Sequence, residues 1–128
     1  MVSKKFEVPR EDSIRGVELP PDVSAGLAEV GGLGSLIRRL PNRSRIAALA
    51  RYHKALSDEI RLRLLYALSV TDMCPCVLKV VSGTSSSKLS YHLRLLESEG
   101  LIVSRRVKNW RVYSITTAGR KALGLRGR

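Results

Sequence analysis

Two groups of side chains in this sequence have the types and spacing to do chemistry. The first is Cys74-Pro75-Cys76. Thiolates are soft ligands for zinc, cadmium, copper(I) or arsenite, and both sulfurs are expected in the first turn of a helix, whose dipole favours the thiolate form. The second is Thr84–Gly100, TSSSKLSYHLRLLESEG. At 3.6 residues per turn Leu89, Leu93 and Leu96 fall at i, i+4 and i+7 and form an apolar stripe. Ser86, Ser87, Ser90, Tyr91 and Arg94 fall elsewhere. Such a front of hydroxyls and one guanidinium suits base edges or phosphates in a DNA groove, with Arg94 able to bond guanine in a bidentate way.

The cysteine pair leaves three chemistries open. Cys74 and Cys76 can bind a soft inducer. They can act as a redox pair, because a disulfide across one intervening residue is strained and easily reduced. They can also be small packed hydrophobes. Only two cysteines exist in the chain. Trigonal arsenic wants three thiolates and structural zinc four ligands, so the set needs an outside thiol or a second subunit to be complete. His53 and Asp72 are the nearest further donors. His92, between Leu89 and Leu93, is expected to be a packed residue with one hydrogen bond rather than a ligand. His53 is expected in the core or at a dimer interface.

These groups need elements to hold them. Asn42 or Ser44 can cap a helix through RIAALARYHKAL, with Ile46, Leu49, Ala50, His53 and Leu56 on one face. Ser57 starts a second helix with Asp58 and Glu59 in its first turn. Ile60, Leu62, Leu64, Leu65 and Leu68 are its apolar residues, and Arg61 and Arg63 its charges. Thr71 or Asp72 can cap a third, with Pro75 in its first turn. Ser82-Gly83-Thr84 makes a tight turn into the Thr84–Gly100 helix, with Ser85 as its cap and Gly100 at its end. Leu101–Val107 and Trp110–Ile115 are rich in β-formers. Lys108-Asn109 between them suits a hairpin, with Asn109 tolerating positive φ. Arg105, Arg106, Lys108 and Arg111 cluster at its tip, where they can meet a phosphate backbone or minor groove. Thr116 or Thr117 can cap a last short helix, and the basic tail Gly124–Arg128 is expected to fray.

Charge follows the same division. The net charge is +12. Residues 1–42 hold six Lys or Arg and six acids, so the whole excess lies in residues 43–128. A compact region this basic points to a polyanion, nucleic acid before an anionic membrane surface. Residues 1–42 also hold four of the five prolines and the Gly31–Gly34 run, and form an N-terminal extension. Residues 1–24 are expected to be irregular, and 24–40 to form short helical turns broken at Gly31-Gly32. No apolar run is long enough for a bilayer, and no export signal is evident, so a cytoplasmic protein with reduced thiols is expected. No catalytic constellation appears, and no cofactor is required. An enzyme is therefore not expected.

The order helix, helix, helix-turn-helix, β-hairpin, helix is a mainly α fold with a small β-hairpin, a winged helix-turn-helix over 43–128. Ala55–Leu65 (ALSDEIRLRLL), Asp72–Cys76 (DMCPC), Ser87–Leu101 (SKLSYHLRLLESEGL) and Trp110–Tyr113 (WRVY) resemble the ArsR/SmtB repressors in order and spacing. The resemblance implies a homodimer joined by its first and last helices, roughly 43–56 and 117–123. It implies a double-stranded DNA operator held by two recognition helices and two wings. It also implies release by a metal, a metalloid such as arsenite, or an oxidant. The rival expectations are a redox-switched regulator and a ligand-free, non-specific nucleic-acid binder.

Overall fold

The computed structural model describes residues 9–126. The chain divides between Ile46 and Ala47 into two compact units. In the first, a short 3₁₀ turn at Glu11–Ile14 precedes α1, Pro21–Glu29, and α2, Leu33–Arg39. Residues 21–24 are thus helical rather than irregular. Pro21 occupies the first helical position, where its missing N–H has no intrahelical partner to lose. The expected break falls at Gly31 and Gly32, both at φ above +90°. The expectation for residues 1–8 lies outside the described residues.

Helix α3, Arg43–Leu56, carries the chain across the division. The Asn42 Oδ1 accepts from the Arg45 N–H and caps its start. Then follow α4 (Glu59–Val70), α5 (Pro75–Ser82), α6 (Ser86–Ser98), β1 (Ile102–Val107), β2 (Trp110–Ile115) and α7 (Thr117–Ala122). Three further caps are made by side chains: Asp58 accepts from the Arg61 N–H, Ser85 from Lys88 and Thr116 from Gly119. Asp58 is therefore the cap of α4, one place outside the turn it was expected to join. Gly83 takes the left-handed conformation at φ 68° and lets α5 turn tightly into α6.

The core of the second unit is almost entirely leucine. Leu64, Leu65 and Leu68 of α4, Leu78 of α5, and Leu89, Leu93 and Leu96 of α6 meet Leu101, Ile102 and Tyr113 of the hairpin region. The i, i+4, i+7 stripe of α6 is thus its buried back. β1 and β2 pair antiparallel, Ile102 opposite Ile115 through Val107 opposite Trp110. The positive φ at the hairpin tip belongs to Lys108, at 57°, and not to Asn109. A two-residue link can place its left-handed residue first, and the register here does so.

Gly119 of α7 is buried against β1's entry. A Cβ there would collide with the Leu101 carbonyl oxygen and Ile115 Cγ1. Gly119→Ala is expected to cost about 1–3 kcal/mol as overpacking, read as a lowered midpoint in urea.

Candidate nucleic-acid interface

Ser86, Ser87, Ser90, Tyr91 and Arg94 are all exposed on α6, on the side opposite Leu89, His92, Leu93 and Leu96. The caps and the leucine stripe fix the rotation of the helix, so the front follows from the back. Lys88 is exposed on the flank of the same helix and was absent from the sequence-derived set. Lysine at helical spacing beside polar residues gives no pattern that separates a ligand-facing position from a solvated one.

A charged residue fixes α6 from behind. Arg61 of α4 is only 5% exposed. Its Nε donates to the Ala55 carbonyl at 2.7 Å, its Nη2 to the Lys54 carbonyl at 3.1 Å, and its Nη1 pairs with His92 Nδ1 at 2.8 Å. One guanidinium therefore ties the end of α3 to the back of α6. Arginine remains protonated, so His92 Nδ1 must be the acceptor and its proton sits on Nε2. His92 is a packed residue, 7% exposed, with this bond, as expected from its place between leucines. His53, in contrast, is exposed on α3 and stands edge-on to Tyr52, outside the core.

Burial holds the His92 imidazole below its ordinary value of 6.5, with Arg61 and Lys88 acting in the same direction against the attraction of Asp58. The folded chain therefore disfavours the imidazolium, and the unfolded chain binds the proton first. The contribution of this group to stability is complete above about pH 6.5 and declines as pH falls through and below it. Urea midpoints measured between pH 7.5 and pH 5 should fall, and His92→Gln should flatten the profile.

The hairpin carries the second set of cations. Arg106 and Arg111 face each other across the strands. Both are exposed, as is Lys108 at the tip. The Arg111 Nη1 donates to Ser104 Oγ at 3.0 Å, which aims its guanidinium. Arg105 lies on the other face. Its Nη1 makes an ion pair with Asp72 Oδ2 at 3.0 Å and donates to Ser114 Oγ at 2.7 Å. Of the four wing cations expected to meet an anion together, Arg105 is thus turned back onto its own chain.

Asp72 belongs to the extended lead into α5, and the next residue makes an isolated antiparallel bridge to β2. The Met73 N–H donates to the Tyr113 carbonyl at 3.1 Å and the Tyr113 N–H to the Met73 carbonyl at 2.8 Å. Cys74 follows at once and is the N-cap of α5, with Pro75 first in the helix. The first helical turn thus contains Cys76 alone. Cys74 lies just outside it because neither Thr71 nor Asp72 caps the helix. Cys76 is exposed and Cys74 half-buried, and both are free thiols. The Val77 backbone N–H holds the Cys74 thiol below its ordinary value against the opposing effect of burial, and the Cys76 thiol beside it adds to the lowering. Among the described residues no group of three or more His, Cys, Asp or Glu gathers to hold a metal ion. Cys74 and Cys76 offer two donors, and neither His53 nor Asp72 joins them as a third.

A helix-turn-helix followed by a two-stranded wing defines the second unit as a winged helix-turn-helix. Residues 58–104 match the family model described as bacterial regulatory protein, arsR family. Over that segment the chain is similar to arsR-family regulators. It is 39% identical over 67 residues to a transcriptional repressor SmtB homolog of Synechocystis, covering 52% of this chain and 51% of that protein. It is 38% identical over 63 residues to the arsenic resistance transcriptional regulator ArsR2 of Pseudomonas putida, covering 48% and 55%. The chain thus spans about half the length of these curated relatives. Among solved structures, NolR of Sinorhizobium fredii superimposes with a TM-score of 0.60 at 27% identity, over 67% of this chain and 90% of that one. A Mycobacterium bovis protein described as a homodimeric winged helix-turn-helix DNA-binding domain gives 0.57 at 25% identity, over 66% and 81%.

Proposed function

We propose that this chain is a sequence-specific transcriptional repressor that binds an inverted-repeat duplex operator as a homodimer in the cytoplasm. In this scheme a thiol-binding metal or metalloid, such as arsenite, acting at Cys74 and Cys76 releases it. The observation that carries the reading is the front of α6. Ser86, Ser87, Ser90, Tyr91 and Arg94 share one exposed side of a helix whose opposite side is locked by leucines and by the Arg61–His92 pair. A recognition helix needs that rigidity, because a base-edge bond loses its worth when its donor wanders. The family match and the repressor named in Synechocystis support the same reading.

Two further features support the finer parts. The α3 face of Ile46, Leu49, Ala50 and His53 is exposed in the single chain, as a self-complementary dimer face would be. Cys74 is joined through Met73 to Tyr113 of β2, and through neighbouring Asp72 to Arg105 of β1. Drawing the two thiolates onto one soft centre pulls on the backbone that forms the Met73–Tyr113 rung, so the wing moves with the thiols. The third ligand comes from an external thiol or the second subunit. The adjacency of the two thiols also fits a redox pair, which diamide would trigger without any metalloid.

The wing supplies a test. Equilibrium duplex binding is measured against salt for the wild type, Arg106→Ala and Arg105→Ala. Arg106→Ala should flatten the slope by about one unit of counterion release. Arg105→Ala should change it little, because Asp72 already neutralises that guanidinium. An unchanged slope for Arg106→Ala would remove the wing from the DNA.

A further inference from the structure

The tip of the hairpin carries an apolar pair that the cation-based reading leaves without a role. Trp110 is 57% exposed and Val107, its direct cross-strand partner, 43% exposed. Val103 is exposed on the same face four rungs below Val107, with Arg105 between them on that face. Trp110 is the only tryptophan in the chain. Tryptophan is enriched at contact surfaces because a large apolar body carries one polar N–H, and here it adjoins a second exposed apolar residue. Its neighbours say what kind. Residues 105–111 contain four cations and no acid, and of the four only Arg105 is turned away by an acid. A protein partner would have to bring acids to Arg106, Lys108 and Arg111 while offering an apolar seat to Trp110. Duplex DNA offers both at once, since the minor groove is walled by apolar deoxyribose edges between two rows of phosphates.

We infer that Trp110, backed by Val107, is a minor-groove wedge that packs against the sugar walls beside the recognition-helix site, while Arg106, Lys108 and Arg111 hold the flanking phosphates. This rests on the proposed DNA binding and adds a base preference that the major-groove contacts of α6 cannot supply. The exocyclic 2-amino group of guanine projects into the minor groove and A·T pairs lack it. The wedge therefore favours A·T over G·C in the operator flanks without bonding a base.

The lone tryptophan makes the test direct. Binding of a fluorescently labelled duplex, enriched by the wild type from a random pool, is followed by anisotropy while Trp110 emission is recorded separately. Emission should be quenched or blue-shifted in step with binding. Trp110→Ala should weaken binding about tenfold, and Trp110→Phe should retain most of the affinity. Replacing flanking G·C pairs with inosine·C, which removes the 2-amino group and leaves the major groove intact, should tighten the wild type and leave Trp110→Ala unmoved. Duplex binding with unchanged emission, or equal inosine effects on wild type and Trp110→Ala, would overturn the wedge while leaving the regulator reading in place. A change of oligomeric state in Trp110→Ala would also overturn it, by assigning the tryptophan to a second copy. Absence of any duplex binding by anisotropy would defeat the regulator reading itself.

Discussion

Cys74→Ser/Cys76→Ser is expected to bind the operator with wild-type affinity and to remain bound when phenylarsine oxide, arsenite or cadmium is added. The wild type should be released by at least one of the three. The expectation follows from where the thiols sit. Neither is in the core: Cys76 is exposed, Cys74 half-buried, and serine at an N-cap accepts a backbone N–H at least as well as cysteine. The fold should therefore tolerate the change. The thiol chemistry would be lost completely, because the chain holds no other cysteine. Anisotropy of a labelled operator read before and after each agent gives the answer. Mass spectrometry of the treated wild type shows whether the agent bound. Bound agent with no release would separate the thiols from the DNA and leave Cys74 and Cys76 as a bystander site. An Asp72→Ala variant refines the point. If the wing is the lever, it should bind the agent normally and show altered release, since only the Arg105 link has been cut.

Arg94→Ala is expected to have the largest effect on the DNA side. Arg94 lies mid-helix on the exposed front of α6, and no acid of the described residues forms an ion pair with it. A bidentate bond to guanine is worth about 1–3 kcal/mol of discrimination, so operator affinity should fall roughly ten- to a hundredfold. Affinity for a scrambled duplex should fall much less. Equal losses on both duplexes would place Arg94 on phosphate alone and move the base contacts to Ser86, Ser87, Ser90 or Tyr91.

The parts legible in the sequence were those set by local rules. Ser85, Asn42 and Thr116 cap their helices through bonds that depend only on the next three residues. The Leu89, Leu93, Leu96 stripe fixed which side of α6 is buried. The parts that were not legible depend on partners far along the chain. Arg61, between Ile60 and Leu62, reads in the sequence only as one of two charges of its helix, yet it is buried because two carbonyls at the end of α3 and His92 of α6 all converge on it. Arg105 and Arg106 are adjacent and chemically alike. Strand alternation sends them to opposite faces, and Asp72, thirty-three positions upstream, claims only one. The Met73–Tyr113 rung is a single long-range bridge with no periodic pattern to announce it. At the hairpin tip, residue preference pointed to Asn109 and the register chose Lys108. The Pro20-Pro21 pair suggested irregular chain and instead opens a helix.

In the proposed function α6 and the wing read a specific duplex sequence. Sequence-specific binding is tested most directly by enriching duplexes from a random pool with the wild-type protein, then titrating the enriched duplex and its scramble across salt. The expected result is an enriched inverted repeat whose two halves lie about one helical turn apart. A preference over the scramble of at least about a thousandfold is also expected, and it should persist as salt rises. A pool that yields no common sequence, with both duplexes losing affinity in parallel as salt rises, would contradict sequence-specific binding and leave a basic, non-specific nucleic-acid binder.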